Sequence, residues 1–254
     1  ADVAPQKLEL VPGRWPEKQA VRLDMGRLEG APFEVTSKSF SASCWVRKLG
    51  PGTHRGNSGA TNGTILSTGI GYWDGWRLTT SYPQMSLGFE IGRPQPQSSF
   101  GINAGPAPDN VWQHLCVTWD GKETRLYANG LLIAKGSYAG DYTPPPGDKR
   151  FRVGFAGYGF GSVVVEVEEE AVWKRALTPA EVLAEAYFDP APTLPITQAI
   201  LAAEEAFSRK EYPVAEKAYA TLAKQADLGE GLKSLALLRL AETAAAQQQL
   251  GRAV

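Results

Sequence analysis

The chain is short of the residues that build metal centres and redox sites. In 254 residues it has two cysteines, Cys44 and Cys116, and two histidines, His54 and His114. The four are scattered, so they give no zinc-binding spacing. Both cysteines fall mid-strand, and two readings stand: buried free thiols, or one bridge between strands. Charge of one sign is not in excess either, with 26 Lys and Arg against 27 Asp and Glu. Without a basic stripe, nucleic acid is not an expected partner. No apolar run reaches the length of a membrane-spanning helix. The chain opens Ala1-Asp2-Val3-Ala4 without an initiator Met. That fits a mature protein that is secreted, periplasmic or on the cell surface, and equally a trimmed chain.

Composition changes near Pro190. All seven tryptophans and most of the glycines precede it, and the residues after it are rich in Ala, Leu and Gln. The segment Asp189-Pro190-Ala191-Pro192-Thr193-Leu194-Pro195 reads as a stiff linker, because each Pro biases its predecessor toward extended geometry. We therefore expect two parts, a β-sandwich over 1–189 and a helical segment over 190–254.

The first part reads as a succession of strands. Gln19–Asp24 is expected to be the first, leading to Phe33-Glu34-Val35. In Phe40–Val46, residues Phe40, Ala42, Cys44 and Val46 share one face, and Ser41, Ser43 and Trp45 the other. Thr64–Thr68, Trp76–Thr80 and Met85–Ile91 continue the ladder, with Trp76 expected in the core. Val111–Trp119 follows, then an Asp120-Gly121 turn and a hairpin around Asn129-Gly130, where both residues tolerate positive φ. After Thr143-Pro144-Pro145-Pro146-Gly147 comes a strand at Phe151–Phe155. Short strands with Gly and Pro turns and no internal helix predict a mainly β fold, a two-sheet antiparallel jelly-roll sandwich.

Ser162–Tyr187 closes that sandwich. Val163, Val164 and Val165 are β-branched, and Glu166, Glu168 and Glu170 alternate, which predicts three carboxylates on one strand face. Thr178, Pro179 and Glu181 form a capping box with Pro at the first helical position. The run Val167-Glu168-Glu169-Glu170-Ala171-Val172-Trp173-Lys174-Arg175-Ala176-Leu177-Thr178-Pro179-Ala180-Glu181-Val182 resembles the closing motif of bacterial laminin G-like, concanavalin A-like sandwiches. Glu168 stands where that family has Asp, Glu170 where it has an aliphatic residue, and Lys174 where it has Asn. Phe40–Val46 and Val111–Trp119 resemble two further strands of the family. The resemblance covers Gln19–Tyr187. It implies that both cysteine positions take small residues, and hence free packed thiols, and that His114 is packed and hydrogen-bonded.

The tail is expected to hold about three helices. One face runs Ile196, Ile200, Ala203 and Phe207, and a second Ala215, Ala218, Tyr219 and Leu222. After a break at Gly229-Glu230-Gly231, a longer helix runs over Leu232–Gln249. Phe207–Tyr219 resembles the inter-helix turn of a tetratricopeptide repeat, and Ala241–Ala253 the start of another. The alternative is a plain three-helix appendage.

Four constellations bear on function. Glu166, Glu168 and Glu170 resemble the acid strand of some glucanases of this class, in which two carboxylates about 5 Å apart act as nucleophile and acid. The ladder lacks that strand's central Asp, so solvated glutamates are the favoured reading. The family's calcium sites make Asp24, Glu168 and Glu169 candidate ligands of a structural calcium. Against this, Asp24 reads as a turn residue, and Glu169 as a buried carboxylate bonded to backbone. Tyr72, Trp73 and Tyr158 lie in glycine-containing loops, where aromatic rings can stack on sugars. Neither His54 nor His114 has a nucleophile beside it. The resemblance implies a non-catalytic secreted module that recognises a glycan or an extracellular protein, with a helical tail that contacts further domains or another protein. The alternatives are an architectural docking domain and a glycoside hydrolase using Glu166 and Glu170.

Overall fold

The computed structural model describes residues 7–15, 17–24, 26–34, 39–52, 61–68, 74–82, 86–94, 99–145, 150–154, 162–187, 199–200, 202–204, 206–207, 209–225 and 230–251. The chain divides into two compact units, 1–177 and 178–254. The sequence boundary was expected after Asp189.

The first unit is a mainly β sandwich of two antiparallel sheets. One sheet has seven strands in the order β1-β2-β13-β4-β9-β10-β11. These are β1 (Lys7–Pro12), β2 (Gln19–Asp24), β13 (Val163–Trp173), β4 (Phe40–Pro51), β9 (Trp112–Trp119), β10 (Glu123–Ala128) and β11 (Leu131–Ser137). The other has six, in the order β3-β12-β5-β6-β7-β8. These are β3 (Arg27–Pro32), β12 (Arg150–Gly154), β5 (Thr61–Ser67), β6 (Trp76–Tyr82), β7 (Ser86–Ile91) and β8 (Phe100–Pro106). The expected first strand, Gln19–Asp24, is the second. β1 precedes it at the sheet edge, where Leu8 and Leu10 stay exposed, so its apolar residues give no burial pattern to read. β3 follows β2 in the chain, ending just before Phe33, and neither β3 nor β8 was anticipated with these bounds.

Period-two alternation decides what enters the core. Ala42, Cys44, Val46, Leu115, Val117, Val165 and Val167 face inward from the seven-stranded sheet, against Leu66, Leu78, Phe89 and Ile91 of the other. Phe40 is the centre. Its ring stacks on Trp76 at 5.2 Å and meets Trp119 edge-on at 6.0 Å, the offset geometries aromatic pairs prefer. Cys44 pairs across the ladder with Leu115, and Cys116 with Ser43. One position apart in register, the two thiols point to opposite faces of the sheet. Both are buried thiols outside any disulfide, the packed reading that the resemblance implies.

The turns follow their residues. Asn129 and Gly130 have φ of 50° and 74°, the twist a two-residue hairpin needs. Asp120 Oδ1 accepts from the backbone N–H of Lys122 and Glu123 at 2.9 and 2.8 Å, which closes the turn before β10.

The second unit is helical, with α1 (Pro179–Tyr187), α2 (Tyr212–Ala223) and α3 (Glu230–Gly251). Residues 199–200, 202–204 and 206–207 are helical as well. At α1 the capping box forms as expected: Thr178 N donates to Glu181 Oε2 at 2.8 Å, and Glu181 N to Thr178 Oγ1 at 3.3 Å. Further on, Glu204 is a polar lock. It accepts from Tyr219 Oη at 2.6 Å and, one oxygen each, from Arg239 Nε and a terminal guanidinium nitrogen at 2.9 Å. α3 begins at Glu230 and includes Gly231, so the expected break does not extend to these two residues.

Candidate functional site

Each sheet carries a row of alternating charge on its outer face. On the six-stranded sheet, register lines up Glu29, Arg152, Ser67, Arg77 and Glu90 across five neighbouring strands. Arg152 and Arg77 are themselves buried, at 3% and 5% exposure, so the middle of this row is closed to solvent while Glu29 and Glu90 at its ends are partly exposed. Ser67 Oγ, between them, is buried without a hydrogen-bond partner.

The seven-stranded sheet shows the reverse arrangement. Glu9, Arg22, Glu166, Arg47 and Trp112 line up across β1, β2, β13, β4 and β9. Here the central carboxylate is the buried member, and the guanidiniums of Arg22 and Arg47 keep 39% and 29% of their side-chain exposure. Glu166 Oε1 accepts from Arg22 Nε at 3.0 Å and from its terminal nitrogen at 2.7 Å. Oε2 accepts from Arg47 Nε at 2.6 Å. Arg47 also stacks against Trp112, 5.2 Å from the ring centroid, and Arg22 reaches Glu9 at 3.1 Å.

Two positions along the strands lies a second row, Glu168, Trp45 and His114. The loop between β1 and β2 is strapped to it. Arg14 N donates to Glu168 Oε2 at 3.1 Å, Arg14 Nε pairs with Glu168 Oε1, and Arg14 reaches Glu169 at 2.6 Å. Lys18 Nζ also pairs with Glu169. The Arg14 guanidinium lies 3.7 Å from the Trp45 ring and 5.7 Å from that of Trp15, so it sits between a half-buried and an exposed indole. Gly13 makes this approach possible, because a Cβ there would run into Glu168 Oε2. His114 is packed as expected, 5.5 Å from Trp45. Its backbone N–H donates to Asn129 Oδ1 at 2.9 Å, while its ring Nδ1 is buried without a partner.

The acid ladder departs from the expected alternation. β13 carries a bulge between Glu168 and Ala171, and Glu169 takes φ of 57°, so period two holds through Glu168 and breaks before Glu170. Burial first, then the nearby carboxylates of Glu168 and Glu169, raise the Glu170 pKa. Glu166 and Glu168 are buried and held by arginines rather than solvated. With both oxygens bound by guanidinium groups, Glu166 has none aimed at a glycosidic bond.

The candidate metal ligands are not brought together. Glu168 and Glu169 are neighbours, but Asp24 lies one residue beyond the Leu23–Val165 pair, about 13 Å along the sheet from Glu168 at the usual rise per residue. There Asp24 Oδ1 accepts from Ser162 Oγ at 3.3 Å. Calcium asks for six to eight oxygens around one point, and the carboxylates of Glu168 and Glu169 already face cations. These three residues do not fit one calcium ion. Among the described residues, no group of three or more His, Cys, Asp or Glu is arranged to hold a metal ion.

Tyr72, Trp73 and Tyr158 lie outside the described residues, as does His54. The strands that precede them are described: β5 and β12 run antiparallel, so the chain leaves them at opposite ends of the six-stranded sheet.

A laminin G model described as "Concanavalin A-like lectin/glucanases superfamily" matches residues 24–183. The chain belongs to the concanavalin A-like lectin/glucanases superfamily. The match includes β13 and reaches into α1, and it leaves α2 and α3 outside. No curated protein matches the chain. Among solved structures, the superfamily fold is shared with the binding domain of Paraclostridial Mosquitocidal Protein 1. The TM-score is 0.53 at 16% identity, over 71% of this chain and 45% of that one. Domain 4 of AbnA, a GH43 extracellular arabinanase from Geobacillus stearothermophilus solved with arabinotriose, gives 0.52 at 18% identity, over 71% and 81%. The binding domain of botulinum neurotoxin serotype G gives 0.52 at 13% identity, over 72% and 46%. The chain thus spans less than half the length of the two toxin binding domains. At these identities the likeness is one of fold.

Arg14, Arg22, Arg47, Trp15 and Trp112 were missed in the sequence. A signal was there: Trp45 falls on the face opposite Cys44, and two steps of the same alternation give Arg47. Two steps back from His114 give Trp112. No local pattern ties the β1–β2 loop to β13, which lies far along the chain.

Proposed function

We propose that the chain is a non-catalytic recognition module that binds carbohydrate and works outside the cell. The observation that carries this is the fate of the acid ladder. Glu166 and Glu168 are spent on arginines, while the indoles beside them, Trp112 and Trp15, keep water-facing surface. The arabinanase domain solved with arabinotriose supports sugar as the ligand class. Tyr72, Trp73 and Tyr158 are proposed as further contacts from the loops. Among the described residues, no helix is long and apolar enough to cross a membrane. The test is a polysaccharide and glycan binding screen on the whole chain, with calcium and again with chelator. We expect binding to a defined sugar class that survives the chelator, because the carboxylates proposed as ligands are held by cations. Loss of binding in chelator would restore calcium to the site.

A second reading, docking onto a protein partner through the tetratricopeptide-like tail, draws on Leu237 and Leu238, which α3 leaves exposed. A screen with no glycan bound in either condition would favour it.

A further inference from the structure

We infer that the loop between β1 and β2 is an acid-released latch. It stays on the outer face of the seven-stranded sheet while His114 is neutral, and it lifts when His114 takes a proton. The latch belongs to the fold and does not depend on which ligand the chain binds.

The loop is a small unit with a polar attachment. Its backbone closes on itself, with Gly13 N donating to Lys18 O at 2.9 Å and Lys18 N to Trp15 O at 3.0 Å. Ion pairs and hydrogen bonds tie it to the sheet: Arg14 to Glu168 through N and Nε, and both Arg14 and Lys18 to Glu169. The Arg14 guanidinium also lies on the Trp45 ring. The strand before the loop adds little. β1 is the edge of its sheet, and its Leu8 and Leu10 are exposed. A segment that buries so little apolar surface opens at a lower free energy than the core.

His114 is the trigger. Its ring is buried against Trp45 of β4, and its Nδ1 has no partner. Asn129, in the turn after β10, takes its backbone N–H. Cys116 and Trp112 flank it on β9, and Tyr127 of β10 stands opposite Cys116. Burial pushes the Tyr127 phenol up to about 12, so it is neutral. β13 brings Glu168, Glu169 and Glu170, and the first two are already engaged by Arg14 and Lys18. A proton on the buried ring therefore meets the charge of Arg14 in an apolar setting. Burial first, and then that charge, hold the His114 pKa at about 3. Lifting the loop removes Arg14 and admits water, which returns the ring toward its ordinary 6.5. The open form then binds a proton that the closed form refuses, so opening is favoured about tenfold for each pH unit below 6.5. Glu170 acts in the opposite sense. Its pKa is raised in the closed form, by burial first and then by Glu168 and Glu169, so it favours closure as pH falls.

The experiment is native hydrogen exchange on the whole chain, read by mass spectrometry between about pH 7 and pH 5, with each rate divided by the intrinsic rate at that pH. The reporters are peptides that carry the Gly13, Arg14 and Lys18 amides. We expect their protection to fall roughly 20- to 30-fold, beginning near pH 6.5, and to be insensitive to low urea, as a local opening is. Peptides from β6 and β7 should stay at least about tenfold better protected at each pH. His114→Gln should reduce the fall at the loop to less than about threefold. Four results would overturn the latch: protection at the loop that does not change with pH, a fall that begins only in the ordinary carboxylate range below about pH 5, loop protection equal to that of β6 and β7, or an equal fall in His114→Gln. The first three are read on the wild type and decide the matter even where the variant does not fold.

Discussion

His114 is the clearest single-residue consequence of the packing. It is 2% exposed, against Trp45. Burial first, and then the positive charge of Arg14, lower its pKa from 6.5 to about 3. A base whose folded pKa is lowered stays neutral in the native state, while the unfolded chain takes up a proton near pH 6.5. Its contribution to stability is therefore complete above pH 6.5 and is lost as pH falls toward 3. The limiting slope is about 1.4 kcal/mol per pH unit. Denaturant unfolding of the wild type between pH 7 and pH 5 should show this fall, and His114→Gln should flatten it. An equally steep fall in the variant would assign the effect to other groups. The sequence marked His114 as a strand residue without a nucleophile beside it. It did not show that the charge of an arginine from the β1–β2 loop would act on its ring, because that interaction joins residues a hundred positions apart.

Among elements, β13 organises the sandwich. It lies between β2 and β4, and its Glu166 is the only carboxylate shared by two arginines in the described row. Replacing Glu166 with Gln removes the charge while keeping the shape, and leaves two guanidiniums converging on a neutral amide. We expect a loss of about 2–3 kcal/mol, below the full cost of breaking a buried pair because both arginines retain water. Urea unfolding followed by tryptophan fluorescence measures it, and an unchanged midpoint would mean the row adds nothing to stability. β13 was legible as a strand from its valines, and its capped helix from Thr178, Pro179 and Glu181. The bulge was not, since three glutamates read as a clean alternation whether or not the backbone inserts an extra residue at Glu169. The metal assignment failed to converge for a related reason: closeness of first and last strands is a topological expectation, while meeting at one point depends on register. Register puts Asp24 one residue beyond the Leu23–Val165 pair, away from Glu168.

At the scale of the whole molecule, the two units carry different spectroscopic labels. Every tryptophan lies within residues 1–177, so indole fluorescence reports on the sandwich alone, while the far-ultraviolet helical signal comes chiefly from residues 178–254. This partition was readable from composition, since the tryptophans stop and the alanines begin on either side of the Pro-rich segment. What composition could not show is how the helical part is fixed. Glu204, 6% exposed, joins Tyr219 and Arg239, and Arg239 in turn lies 5.1 Å from the Phe207 ring. These residues come from three separate helical stretches, so one carboxylate ties together segments too small to bury much surface alone. Burial, with Glu204 next, also raises the Tyr219 pKa, so the phenol remains a donor to Glu204. Glu204→Gln should lower the midpoint of the helical signal by the equivalent of about 2 kcal/mol, with little shift in the tryptophan transition. Equal shifts in both signals would show that the units unfold as one, and the sandwich would then share the tail's stability.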